Sequence, residues 1–99
     1  MSLHPEVQAL ANLLREIEAM LSEHGEVQWA KEIASCITIV ERSDAYGFHR
    51  FLKLFGGMGS LNDVVLCREG SVLKAENVRL RSLLTQASEL GRRLVKDEN

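Results

Sequence analysis

The chain has 99 residues, with 12 Lys and Arg against 14 Asp and Glu, a net charge of −2, and 45% hydrophobic residues. That length fits one domain with its own core, and abundant Leu, Val and Ile exclude a disordered chain. The mild acidity, with Glu69, Glu76, Glu89, Asp97 and Glu98 interleaved among the basic residues of the C-terminal third, argues against nucleic acid. No apolar run approaches the ~18 residues that would cross a membrane.

The first element is a helix over residues 5–23. Val7, Leu10, Leu14, Ile17 and Leu21 step by three and four along one face. Pro5 and Glu6 suit a first helical turn, and Gly25 suits a left-handed cap after it. A second helix is predicted over 26–42, where Trp29, Ile33, Cys36, Ile37 and Val40 recur at helical spacing and Ala30 and Ala34 permit close approach. The β-branched run Cys36–Val40 is strand-like by composition, but it continues the helical pattern. Ser43 and Asp44 then read as a turn and helix start. A short third helix follows through residues 46–55, with Phe48, Phe51, Leu52 and Phe55 on one face.

Gly56-Gly57-Met58-Gly59 interrupts regular structure, because glycine runs lose too much backbone entropy in a helix. Ser60-Leu61-Asn62-Asp63 has the spacing of a capping box. Val64, Val65 and Leu66 then form either a helical turn ending near Gly70 or a short extended segment. The last helix spans 71–96. Leu73, Leu80, Ala87 and Leu94 recur every seven residues, with Leu83 and Leu90 at the complementary step and Val78, Leu84 and Val95 added to the stripe. Glu89 and Arg93 form an i,i+4 pair, and Gly91 inside this helix should cost about 1 kcal/mol relative to alanine unless close packing demands it. The expected fold is all-α: a single helical domain over 5–96, built from three long and one or two short helices. Residues 1–4 and 97–99 are expected to be disordered ends.

Chemistry-bearing patterns are sparse. Gly56, Gly57, Met58, Gly59 and Ser60 lead toward a helix start and could present backbone N–H groups to an anion. No lysine follows them and no buried strand precedes them, so a structural corner outweighs a phosphate loop. Asn62 and Asp63 read first as capping groups. The alternative is a small-molecule or phosphate site using this turn, with Asp63 and His49 as its polar groups. His4, His24 and His49 are dispersed and no metal-ligand spacing occurs, so neither a metal nor a cofactor is expected. Cys36 lies on an apolar stripe and reads as a small core residue. Cys67 reads as partly exposed. The two cysteines form no motif, and the first residues lack a secretory leader, which together point to a reducing, cytoplasmic setting. In the aromatic segment, burial is the first reading. The functional one is a partner surface built from Trp29, Tyr46, Phe48, His49 and Arg50.

The stretch Phe55-Gly56-Gly57-Met58-Gly59-Ser60-Leu61-Asn62-Asp63 resembles a family of small uncharacterised bacterial proteins marked by such a motif. The resemblance implies a bacterial cytosolic protein and brings no reaction, cofactor or ligand. By analogy of size and type, immunity partners of secreted toxins are the first function to test. The expectation is therefore a non-enzymatic protein–protein interaction module. Its acidic first half, including Glu16, Glu18, Glu23, Glu26 and Glu32, could complement a basic toxin or serve simply as a solvated face. The heptads of the last helix would also permit a homodimer.

Overall fold

The computed structural model describes residues 5–42, 45–54 and 61–97. Its elements are α1 (Pro5–Glu23), α2 (Val27–Glu41), α3 (Ala45–Leu52), a 3-10 turn (Leu61–Asp63), strands β1 (Cys67–Arg68) and β2 (Ser71–Val72), and α4 (Lys74–Asp97). The all-α reading holds, with one small hairpin added. The ends at 1–4 and 98–99, and the predicted turn at Ser43-Asp44, lie outside the described residues, whereas Asp97, expected in the C-terminal end, is the last residue of α4.

The stripe read from α1 is the stripe it buries: Val7, Leu10, Leu14, Ile17 and Leu21 all face the interior, joined by Ala11. Gly25 ends this helix as expected. Its φ is +81°, its N–H donates to Ser22 O at 3.3 Å, and the Glu26 N–H reaches back to Leu21 O at 2.8 Å. These two bonds are the paired closures of a Schellman motif, and they satisfy carbonyls that the helix end would otherwise leave free. α2 returns against α1 and buries Ala30, Ile33, Cys36 and Val40, while Ala34 faces solvent.

Packing runs around a ring. α1 touches α2 and α4, α2 touches α3, and α3 touches α4. The radius of gyration, 13.4 Å, is that of a compact domain of this length. α4 buries Leu80, Leu83, Leu84, Ala87, Leu90 and Leu94. The heptad leucines expected to permit dimerisation are thus used inside the chain. Val78 departs from the stripe and is 71% exposed. Arg93, expected to pair along its own helix with Glu89, instead reaches Glu6 of α1 at 3.7 Å.

Gly91 is buried where α3 crosses α4, and a Cβ there would meet Leu52 Cδ2 at 3.4 Å and Phe51 Cδ2 at 3.7 Å, ordinary van der Waals contact that does not demand glycine.

The segment before α4 corrects the sequence reading. Val64, Val65 and Leu66 take neither helix nor ladder, Cys67–Arg68 and Ser71–Val72 form an antiparallel hairpin, and α4 begins at Lys74 rather than 71. The two turn residues, Glu69 and Gly70, have φ of +51° and +81°. Left-handed conformation at both central positions is what a two-residue hairpin loop needs to match the strand twist. Gly70 adopts it without a steric cost, whereas Glu69 adopts it against its preference.

Candidate functional site

The glycine turn Gly56, Gly57, Met58, Gly59 and Ser60, together with Phe55, lies outside the described residues, as do the side chains of Tyr46 and Asn62. The ends of this segment are nevertheless fixed. Leu61 N–H donates to Leu54 O at 2.9 Å, and Leu61 is fully buried. Asp63 closes the 3-10 turn and is exposed. Among the described residues there is no ligand-sized cavity and no cluster of His, Cys, Asp and Glu able to hold a metal ion.

The expected aromatic partner surface divides. Phe48 is 5% exposed and belongs to the core, because burying a phenyl ring against α2 and α4 releases more free energy than exposing it. Trp29 is half-buried and packs on the core edge. One helical turn further along α2, Glu32 pairs with Arg50 of α3 at 3.6 Å. Glu32 and Arg50 therefore bridge the α2–α3 seam, while His49 is exposed beside Arg50.

The acidic first half is largely tied into the fold. Glu6 and Glu16 pair with Arg93 and Arg79 of α4, Glu32 with Arg50, and Glu41 with Arg15 of α1. Each pair crosses between neighbouring helices. Such exposed pairs add little stability, but they leave fewer carboxylates for a partner. Glu18, Glu23 and Glu26, around the α1–α2 turn, make no ion pair among the described residues.

Cys36 is fully buried in α2. Burial pushes its thiol up to about 11, with Arg50 opposing and Glu32 adding to the rise. A thiol held protonated is a core group, as expected, and not a nucleophile.

Asn77 was not singled out by sequence, and it organises the exposed hairpin. Leu73 immediately precedes α4, so its carbonyl accepts the first helical bond, from Asn77 N–H at 2.9 Å, and turns away from the hairpin ladder. Leu66 still has both of its backbone groups to satisfy. Its carbonyl accepts from Leu73 N–H at 3.0 Å and from Asn77 Nδ2 at 2.9 Å, and its N–H donates to Asn77 Oδ1 at 2.7 Å. Asn77 Nδ2 also donates to Leu73 O at 2.8 Å. The side-chain amide thus replaces the missing peptide and continues the ladder into the helix. Only a carboxamide supplies an acceptor and two donors in that plane. The available signal was an amide where a strand-like segment meets a helix start, and it is too common to be read alone.

With its base pinned, the hairpin turns one face outward. Cys67 stands opposite Val72 in the ladder, and both are exposed, as is Val65 two residues earlier. Val72 is 56% and Val65 47% exposed. Leu66 and Leu73, alternating with them, face the core side.

No described helix is long and apolar enough to cross a membrane. No curated protein and no solved structure is significantly similar to the chain. Residues 22–74, from the end of α1 through α2, α3, the glycine turn and the hairpin, match the family described as a domain of unknown function (DUF6966), and the chain belongs to that family.

Proposed function

We propose that this chain is a non-enzymatic protein-interaction module that docks a protein partner on the outer face of its hairpin. The observation that carries this reading is the Val65–Cys67–Val72 surface: apolar, exposed, and fixed at its base by the Asn77 amide. Apolar residues grouped on a rigid element mark a contact surface more strongly than the same residues scattered singly. A preorganised hairpin also reduces the entropy lost on association. The hairpin lies within the segment that matches the family.

The specific form of this reading is an immunity-type partner of a basic toxin. Glu18, Glu23 and Glu26, which make no ion pair among the described residues, supply negative charge that would speed encounter with it. Two free cysteines, one exposed, fit a reducing compartment.

The test is affinity capture from the native cell with the wild-type chain and with Val72→Asp, both checked for helical content. A stoichiometric protein retained by the first and lost from the second is expected. Identical eluates from the two would overturn the hairpin reading. Loss of the same protein at high salt would support the electrostatic component.

A further inference from the structure

The hairpin leaves the outer edge of β1 open. Cys67 and Val72 stand opposite each other, flanked by the Arg68–Ser71 pair and by Leu73 N–H donating to Leu66 O at 3.0 Å. They are a non-hydrogen-bonded pair, so the N–H and C=O of each point away from the ladder. Leu66, one residue earlier, directs both of its backbone groups to the hairpin side, toward Leu73 and Asn77. The peptide groups of successive residues in an extended chain face alternate sides. Burial follows that phase: Val64 and Leu66 face the core, while Val65 and Cys67 are exposed. The N–H and C=O of Val65 therefore share an outer edge with those of Cys67. No backbone hydrogen bond reaches these four groups among the described residues, and the Cys67 thiol approaches Val65 O at 3.8 Å.

Exposed edges are ordinarily blunted by a charge, a proline or a bulge. Residues 64–67, Val-Val-Leu-Cys, hold neither charge nor proline. The opposite edge is shorter, because β2 passes through Leu73 directly into α4 at Lys74. A two-stranded hairpin is marginal by itself and gains most from a third strand. An extended chain offers donors and acceptors at the spacing of alternate residues, whereas a helix keeps its backbone groups for itself. Arg68 ends β1, is exposed, and makes no ion pair among the described residues. Glu69 follows in the turn, past the ladder, and Asp63, at the other end, is already engaged within the chain. An added strand thus meets apolar side chains at Val65 and Cys67 and one unpaired cation at Arg68.

We propose that the outer edge of β1 takes an extended segment of the protein partner as a third strand, apolar where it faces Val65 and Cys67 and acidic across from Arg68. The inference rests on the reading that the hairpin docks a protein, and it specifies how: main-chain bonds hold the segment and alternate side chains select it. One acidic side chain in the strand is compatible with a partner that is basic elsewhere.

Selection of a displayed random dodecapeptide library on the full chain tests it. Enriched peptides should carry apolar residues at alternate positions, with an acidic residue next to one of them. Proline at position 67 removes an outward N–H that the hairpin itself does not use. Cys67→Pro should therefore bind these peptides at least tenfold more weakly than Cys67→Val, which keeps the amide. Selection on Arg68→Glu should replace the acidic residue by a basic one. With a selected peptide bound, the Val65 and Cys67 amides of the wild-type chain should exchange at least tenfold more slowly, a readout that needs no variant. No enrichment, apolar residues at helical spacing, or unprotected Val65 and Cys67 amides would overturn the proposal. Peptides lost on Val72→Asp yet held equally by Cys67→Pro and Cys67→Val would overturn strand addition while leaving hairpin docking in place.

Discussion

Two regions of the molecule are held by different physics. Along α1 and α2, order comes from periodic burial: Leu10, Leu14, Ile17 and Leu21 meet Ile33, Cys36 and Val40 with no exposure at all. At the hairpin, Val65, Cys67 and Val72 face water, and the anchoring passes through the buried side chain of Leu66 and one carboxamide bonded to the backbone of Leu66 and Leu73. The first kind of order is distributed, so each residue carries a share. The second is concentrated, so one substitution can release the element while the helices stay folded.

The largest effect should come from the helical region. Leu14→Ala removes a fully buried side chain and should cost about 2–5 kcal/mol of global stability, read by urea unfolding. A cost below about 1 kcal/mol would mean that the α1 interface is loosely packed.

The same region carries a pH signature. Because the folded thiol of Cys36 titrates near 11 against 9.0 in the unfolded chain, the folded state retains its proton where the unfolded state has lost it. Stability is intact below pH 9 and falls by about 2–3 kcal/mol by pH 11. Cys36→Ala should abolish that share of the alkaline loss. Parallel pH profiles for the two proteins would show that Cys36 ionises freely in the native state.

At the hairpin, Asn77→Ala strands the N–H of Leu66 and should cost about 1–3 kcal/mol. Asn77→Asp is the sharper probe, because it keeps an acceptor for Leu66 N–H but sets a carboxylate oxygen against the carbonyl oxygens of Leu66 and Leu73 in place of a donor. Its hairpin should loosen at neutral pH and recover as the carboxyl protonates; a pH-independent hairpin, followed by amide shifts, would argue against the clamp.

The smallest effect is expected where the two regions meet. A Cβ at Gly91 finds ordinary contact with Leu52 and Phe51 of α3, so Gly91→Ala should raise stability by up to about 1 kcal/mol through helix propensity. Gly91→Leu should instead push α3 away and destabilise the fold.

This contrast also explains what was legible in the sequence. Helices at 5–23 and 27–41 lie within a residue of their predicted bounds because a three-and-four stripe is a direct record of burial. Gly25 was legible because few residues other than glycine end a helix in that conformation. The hairpin was missed because its strands have two residues each, too short for alternation to register, and because Glu69-Gly70 is a weaker turn signal than Asn-Gly or Asp-Gly. Asn77 was missed because its partners are backbone atoms, which carry no letter. Phe48 misled as a partner residue because aromatic character alone does not say which side of a helix meets the core. Val78 misled in the opposite sense: it fits the apolar stripe by type, but the stripe turns away from it.

Asn77 holds the hairpin to the helical core. Native-state hydrogen exchange measures it directly, by comparing the Leu66 and Leu14 amides in wild type and Asn77→Ala. The expected result is exchange at Leu66 accelerated at least tenfold more than at Leu14, the signature of local release. Equal acceleration at both amides, or none at Leu66, would contradict it.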